Sequence, residues 1–485
     1  MTPTLVLAVI GSYFLLLFVI SYFTSRGATS STFFTGNRES PWYLVAFGMI
    51  GASLSGVTFI SVPGEVGNSG FTYFQVVLGY LPGYLIIATV LMPLYYKLNL
   101  VTIYTYLEQR FGVASYKTGS FFFLLSRVVG SSFRLFLVAG VLQLAIFDSF
   151  GIPFWACVLI TIGLIWLYTF KGGIKTVVWT DTLQTGFMIL AVVISIYLIS
   201  TELNIGIADI GSTVVKSEYF RVFEWDWQSG RNFFKQFFAG AFIAIVMTGL
   251  DQDMMQKNLT CRNIGDAQKN MFWFCVVLVI VNFLFLSLGA LLFMYAEATG
   301  IPIPDRTDNL YPMLALGHFN TFAGVLFLLG IVAAAYSSAD SALTAMTTSF
   351  CVDFLGFEKK EVKNNDKVRM LVHLGFSFLL FFVILIFNAI NDSSVINSVF
   401  TAAGYTYGPL LGLFSFGLFT KRPLTDKYVP VVCVLSPLLS YLINISSESL
   451  LWGYKFGFEI LLLNGLLTFL GLWAISSKRK IDVSV

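Results

Sequence analysis

Long apolar runs recur along almost the whole chain, and they restrict its fold more than any other feature. A helix needs roughly 20 apolar residues to cross the hydrocarbon core of a bilayer, whereas transmembrane strands are alternating segments of about ten residues and do not fit such runs. Only 11% of the 485 residues are charged, against about 25% in soluble proteins. The sequence therefore predicts an all-α integral membrane protein.

On this template we expect about thirteen transmembrane helices. The predicted spans lie near 3–24, 41–66, 70–97, 118–146, 152–170, 174–200, 232–257, 270–298, 320–349, 367–390, 394–419, 427–446 and 455–476. The first has no basic residue before it and is long enough to span, which favours an uncleaved helix over a signal peptide.

The distribution of basic residues predicts the orientation. With the N-terminus outside and the C-terminus in the cytoplasm, most of the 29 Lys and Arg fall in cytoplasmic loops, as the positive-inside rule requires. The reverse orientation would place outside the cell the residues Lys359, Lys360, Lys363, Lys367, Arg369, Lys478, Arg479 and Lys480. We expect a multi-pass protein of the cell (plasma or inner) membrane.

Two predicted spans are interrupted by Gly and Pro. The second contains GASLSGVTFISVPGEVGNSG, and the seventh, five spans later, contains QFFAGAFIAIVMTGLDQD. Breaks at corresponding positions of two five-helix halves point to an inverted-repeat transporter, in which unwound backbone binds substrate and ion. Small residues that allow close helix packing are the alternative interpretation.

The ninth span turns polar where its sequence reads AAAYSSADSALTAMTTSF, residues 333–350. At 100° per residue, one sector of about 120° contains Ala334, Ser337, Asp340, Ser341, Thr344 and Thr348. Hydroxyls alone fit helix–helix hydrogen bonds as well as an ion site. A carboxylate among them favours the ion site, because hard cations take oxygen ligands.

Two further intramembrane charges are candidate functional residues. Asp181, in the sixth span, lies at a depth comparable to that of Asp340; pairing with Lys175 is its alternative role. Arg134, in the fourth span, shares a helix face with Arg127. Its planar guanidinium suits bidentate capture of an organic anion, and a structural ion pair with one of the acids is the alternative.

The sequence shows no apparatus for covalent chemistry. Its two His are isolated and its five Cys have no paired spacing, so we expect neither an enzyme nor a disulfide or zinc framework. The net charge of +3 comes from loop residues and leaves no basic patch for nucleic acid. The expected partners are a small solute and the lipid bilayer, and no obligate protein partner is evident.

Several segments together resemble the sodium:solute symporters, a family that includes sodium-coupled sugar, proline, iodide, monocarboxylate and sialic acid transporters. The resemblance covers essentially the whole chain and is carried by SLSGVTFISVPGEV, IYTYLEQRFG, GGIKTVVWTDTLQ, GLDQDMMQK and AAAYSSADS. It implies an inverted five-plus-five helix core over 41–420 within a single domain, 1–485. Residues 1–40 form an extra first helix and loop, and 421–485 two extra helices and a short cytoplasmic tail.

The resemblance also implies sodium sites. The main site would use the carbonyls of Gly56, Phe59 and Ala334 and the hydroxyls of Ser337 and Ser338. Some members hold a second sodium, and the matching residues here are Asp181, Ser337, Asp340 and Ser341. Asp340 departs from the family pattern, since a hydroxyl is usual there.

For the substrate, the resemblance places Arg134 where sialic acid transporters bind a carboxylate. We expect Thr58 and aromatic residues such as Phe237 or Phe238 to line the rest of that pocket. Ile60 and Pro63 replace polar residues that would contact sialic acid.

The predicted function is sodium-coupled symport, importing a small organic solute such as an organic anion (a sialic acid or a monocarboxylate) by alternating access. A proton-coupled symporter that uses Asp181 or Asp340 is the alternative within transport. A channel or a membrane sensor is the alternative of another class.

Overall fold

The computed structural model describes residues 3–26, 30–169, 173–357, 365–390 and 395–477. Fifteen helices of 12 or more residues lie in these ranges. They are α1 (Pro3–Thr24), α2 (Trp42–Ser53), α3 (Gly56–Ser69), α4 (Phe74–Ile86), α5 (Val113–Ala145), α6 (Phe154–Thr169), α7 (Gly173–Glu202), α8 (Phe233–Ala244), α9 (Ile264–Thr299), α10 (Thr321–Ser349), α11 (Asn365–Ile390), α12 (Val395–Thr406), α13 (Gly408–Phe419), α14 (Val429–Ile445) and α15 (Ile460–Ala474).

Shorter α-helical segments connect or extend these helices. They are Ser30–Thr35, Met92–Lys97, Thr105–Arg110, Ile210–Lys216, Gln252–Asn258, Leu310–Met313 and Ser447–Leu450. No β-strand forms within the described ranges, where pairing is limited to two isolated bridges. Lipid offers no hydrogen-bond partners, so a spanning segment satisfies its backbone groups internally as a helix.

The prediction of an all-α membrane protein is confirmed, and each of the thirteen predicted spans contains at least one helix. In the described part of the chain, eight helices are each long and apolar enough to cross a membrane when the continuous segment Gly56–Lys97 is counted as one, and a bent pair of segments makes a ninth. The number thirteen therefore stays a prediction. Residues 358–364 and the tail from 478 onward, with their predicted cytoplasmic lysines, lie outside the described residues.

The second predicted span is broken where its Gly-rich sequence suggested. Helix α2 ends at Ser53, Ser55 is extended with φ −70° and ψ 177°, and α3 begins at Gly56. A side chain at Gly56 would not fit, because a Cβ there would lie 2.7 Å from Cγ2 of Val138 on α5. The break thus places the start of α3 directly against α5.

The seventh predicted span is broken more sharply. Helix α8 continues through a π-helical turn, Ile245–Gly249, and the chain then bends by 68° into the short helix Gln252–Asn258. The Asp251 side chain caps this helix by accepting from the backbone N–H of Asp253 at 3.0 Å. Earlier in the same span, Gly240 serves close packing, since a Cβ there would lie 2.1 Å from the Val76 carbonyl of α4.

Helix α10 lies at the centre of the bundle. In an apolar stretch of 18 residues of this helix, 83% of the residues are buried inside the protein. The corresponding share is 28% for α1 and 22% for α14. It packs on α7 most extensively and also on α5, α3 and α2. The polar residues of α10 are therefore enclosed by protein, where they do not meet lipid.

The two predicted sides of the membrane can be distinguished by labelling. Ser212 and Lys367 are exposed in the loop 203–232 and at the start of α11, and all five native cysteines are buried. In intact cells we expect a membrane-impermeant maleimide to label Ser212→Cys, while Lys367→Cys reacts only after permeabilisation.

The parent protein, with its buried thiols, is the control for background labelling. Reaction of both variants from the same side would contradict the predicted orientation.

Candidate functional site

The break between α2 and α3 faces the polar stripe of α10. The last carbonyls of a helix have no N–H partner within it, so the end of α2 offers backbone oxygens here. One of them, the Ala52 carbonyl, accepts a hydrogen bond from the Ser338 hydroxyl at 3.4 Å. Backbone oxygens of the first broken span and hydroxyls of α10 therefore meet.

Gly56 and Phe59 lie on the other side of this break, in the first turn of α3. The position one helical turn after Phe59 is Pro63, which has no N–H, so the Phe59 carbonyl lacks its usual helical donor. The Phe59 ring packs on Tyr311 and Phe327, with centroids 5.5 and 5.8 Å away. The Phe59 carbonyl therefore lacks its helical hydrogen bond and is available to another partner, such as a cation.

Ser337 joins α10 to the acid of α7. Its hydroxyl donates to Oδ1 of Asp181 at 2.6 Å, and both residues are fully buried. A hydroxyl has one proton and two lone pairs. Because the proton is committed to Asp181, the lone pairs of Ser337 remain available to a cation.

Asp181 has a cationic partner other than Lys175, the one considered from the sequence. Nζ of Lys257, in the short helix Gln252–Asn258, lies 2.7 Å from Oδ2 of Asp181, and Lys257 is only 1% exposed. The alternative partner, Lys175, makes no ion pair with Asp181 in the described structure. Asp181 thus uses one oxygen for Lys257 and the other for Ser337.

The other two residues predicted for a second sodium site have separate partners. Asp340 accepts from the Tyr168 hydroxyl of α6 at 2.8 Å through Oδ2, while its Oδ1 has no hydrogen-bond partner among the described residues. The Ser341 hydroxyl donates to Oδ1 of Asp253. The structure therefore joins Asp181 directly to Ser337, whereas Asp340 and Ser341 make their hydrogen bonds to Tyr168 and Asp253.

Arg127 forms a buried ion-pair cluster with the second broken span. Its Nη2 and Nε lie 2.5 and 2.8 Å from the two oxygens of Asp251, and its Nη1 lies 3.1 Å from Asp253. The Tyr407 hydroxyl, between α12 and α13, donates to Asp251 at 2.5 Å. This cluster ties α5 to the segment that follows the bend.

Arg134, two helical turns further along α5, has no such partner. Its Nε lacks a hydrogen bond, and none of the buried acids of the two broken spans or α10 pairs with it in the described structure. It lies instead beside a cavity of about 80 Å³ that Thr58 also lines. An unpaired guanidinium next to a cavity is suited to a bound anion.

The aromatic lining of this cavity differs from the expected one. It comes from Tyr73, Tyr80, Tyr84 and Phe400. Phe237 stacks on Phe233 with centroids 5.6 Å apart, and Phe238 is 51% exposed on the surface of α8. Neither lines the cavity, because α8 turns a different face, with Ile243 and Ala244, towards it.

The surroundings of the cavity are asymmetric. On the side of the loop 203–232 it adjoins a second cavity, which shares Tyr73 and Ile396 with it and is lined by Glu65 and Arg231. Those two charged residues pair at 2.9 Å. Arg127, with its ion-pair cluster, also contributes to the wall of the first cavity.

Comparison with known proteins identifies relatives over most of the chain. The family model of the sodium:solute symporter family matches residues 33–426. The sodium/sialic acid symporter NanT of Aliivibrio fischeri is 26% identical over 412 residues, which cover 83% of this chain and 80% of the relative. The human sodium/iodide cotransporter is 25% identical over 413 residues, covering 81% of this chain and 62% of the relative.

Solved structures show the same fold. A substrate-bound, outward-open Na⁺-coupled sialic acid symporter superposes with a TM-score of 0.81 at 21% identity, covering 98% of this chain and 99% of that one. A nucleobase-cation-symport-1 family transporter in a closed conformation gives a TM-score of 0.52 at 15% identity, covering 90% of this chain and 92% of that one.

The two arginines of α5 should differ in their effect on stability. Arg127→Met leaves Asp251 and Asp253 buried without their cation, and we expect it to lower the free energy of unfolding by about 3 to 5 kcal/mol, the usual cost of removing one partner of a buried pair. Arg134→Met, the matched control on the same helix, removes a charge without an ionic partner and should cost far less. Thermal unfolding in detergent compares them, and equal destabilisation would contradict the assigned pairing.

Proposed function

This chain belongs to the sodium:solute symporter family, and from that premise we propose that it imports a small organic acid together with sodium by alternating access. Sodium is its coupling ion. The observation that best supports the proposal is a contact between α10 and the carbonyl end of α2, where the Ser338 hydroxyl donates to the Ala52 carbonyl. Sodium needs several oxygen ligands to offset its partial dehydration, and this junction provides them.

We place the main sodium ion between α2 and α10. Its proposed ligands are the hydroxyls of Ser337 and Ser338 and the carbonyls of Ala334, Gly56 and Phe59, to which we add the Ala52 carbonyl because Ser338 already contacts it. Asp181 acts as a positioning residue in this arrangement. By accepting a hydrogen bond from the Ser337 hydroxyl, it turns the lone pairs of that hydroxyl towards the ion.

The cavity beside Arg134 is the proposed substrate site. It lies next to the same break, with Ser53, Ser55 and Thr58 in its wall, so one segment contributes to both the substrate site and the ion site. A ligand shifts a two-state equilibrium only if it binds the two states unequally. If the joined sodium and substrate sites are complete in only one of the two conformational states, binding of both ligands favours that state.

A carboxylate on the substrate is favoured by the unpaired Arg134. None of the nearby buried acids neutralises it: Arg127 pairs with the acids of the second broken span, Lys257 pairs with Asp181, and Asp340 accepts from Tyr168. The sialic acid relatives carry an acidic substrate, and the tyrosine-rich lining at Tyr73, Tyr80 and Tyr84 provides hydroxyls for a polar molecule. A thermal-shift screen of acids, sugars and amino acids, with and without sodium, tests this substrate class.

Removal of the Ser338 hydroxyl should weaken sodium binding. A ligand to a charged group contributes about 1.5 to 3 kcal/mol, so we expect Ser338→Ala to raise the sodium concentration for half-maximal uptake by roughly tenfold or more. Uptake into proteoliposomes at varied sodium measures this effect.

The control is Thr344→Val, on the same polar stripe, because the Thr344 hydroxyl has no hydrogen-bond partner in the described structure. Unchanged sodium dependence in Ser338→Ala would instead favour a role in helix packing.

Arg134→Lys tests the carboxylate. Lysine keeps the charge but loses the bidentate fork, so binding of an acid substrate should weaken by roughly one or two powers of ten. Sodium affinity in the substrate-free protein should stay nearly unchanged, since Arg134 contacts no proposed sodium ligand side chain.

Isothermal titration of the purified variant with the best acid from the screen gives the affinity. If a neutral sugar is the best substrate and the variant transports it normally, Arg134 does not bind a substrate carboxylate.

A further inference from the structure

We propose that the Lys257 ammonium is a built-in cation in the position of a second sodium ion, so that this chain binds one sodium ion and not two. The inference rests on the proposed sodium-coupled function and specifies its stoichiometry. Its basis is the contact of 2.7 Å between Lys257 and Asp181, deep inside the bundle.

The carboxylate that a second sodium would need is already neutralised. Lys257 takes Oδ2 of Asp181 and the Ser337 hydroxyl takes Oδ1. A sodium ion at Asp181 would have to lie beside an ammonium ion, and the two like charges would repel each other in a buried environment. The site at Asp181 thus already holds a positive charge, the Lys257 ammonium, which is covalently part of the chain and cannot dissociate.

The remaining predicted ligands are partly occupied. Ser341 donates its hydroxyl to Asp253, and Asp340 accepts from Tyr168 through one of its two oxygens. A sodium ion needs several converging oxygens. While Lys257 occupies Oδ2 of Asp181, Oδ1 of Asp340 is the one oxygen of these two carboxylates without a partner in the described structure. The ammonium instead needs hydrogen-bond acceptors for its protons, and Oδ2 of Asp181 is one of them.

Lys257 is held in this position by its helix. The short helix Gln252–Asn258 is anchored at both ends: Gln252 bonds the Ile103 N–H at 3.0 Å, and Gln256 bonds the Phe34 carbonyl at 2.6 Å. The Lys257 carbonyl accepts from the Thr260 hydroxyl at 2.7 Å. These contacts fix the backbone that delivers the ammonium to Asp181.

The test is the number of sodium ions bound by the purified, substrate-free protein. Equilibrium binding of radioactive sodium should give one ion per chain, with a Hill coefficient near one in a sodium titration of tryptophan fluorescence. Lys257→Arg, which keeps the positive charge, should also bind one. Lys257→Met, which keeps the length of the stem but removes the charge, should bind two, with a Hill coefficient above one.

Two ions in the parent protein, or one in a folded Lys257→Met variant, would overturn this inference and leave sodium coupling intact. The absence of any sodium binding in the parent protein would instead overturn the proposed function. If Lys257→Met does not fold, the double variant Asp181→Asn with Lys257→Met removes both charges. It should fold and bind one ion, and the count in the parent protein decides in either case.

Discussion

A charge inside a membrane protein must find a partner, and this requirement organises the centre of the bundle. An unpaired charge near the middle of a membrane helix costs roughly 2.5 to 3.5 kcal/mol on insertion scales. The second broken span nevertheless brings Asp251, Asp253 and Lys257 into the interior, all at most 2% exposed. It does so because each meets an opposite charge: Arg127 for the two acids, and Asp181 for the lysine.

The two broken spans contribute different chemistry to one central helix. The first supplies neutral backbone oxygens, whereas the second supplies charges; both reach α10. Ser338 contacts the Ala52 carbonyl, Ser341 contacts Asp253, and Ser337 contacts Asp181 on α7. A helix that must satisfy three different elements with short side chains has to be rich in Ser and Thr. That requirement explains why an apolar helix turns polar at residue 337.

Part of this arrangement could be predicted from the sequence, and the limits have physical causes. Periodicity and hydropathy predict the helices, and Gly and Pro predict the two breaks, because these signals are local. The Lys257–Asp181 pair joins residues 76 positions apart on different helices, and spacing along the chain says nothing about it. Even so, GLDQDMMQK carries three intramembrane charges, a signal that marks functional residues by default.

The same limit applies to the aromatic residues. Phe237 and Phe238 belong to an apolar segment with few polar positions to distinguish its faces, so the sequence does not say which face meets the cavity. The tyrosines that do line it, such as Tyr80 and Tyr84, lie on α4 and are indistinguishable in sequence from membrane-interface residues. The site of Arg134 was easier to predict, since a mid-span arginine must face a cavity or an acid.

One carboxylate connects the polar stripe of α10 to the Arg127 cluster beside the cavity. Asp253 accepts from Ser341 and pairs at 3.1 Å with Arg127, which also holds Asp251. The segment that carries Asp253 therefore cannot leave Arg127 without pulling on α10. The sodium ion proposed at Ser337 and Ser338 would stabilise α10 against such a displacement. It would act on the Arg127 cluster through α10 and Asp253, and this mechanical link requires no contact between the ion and Arg127.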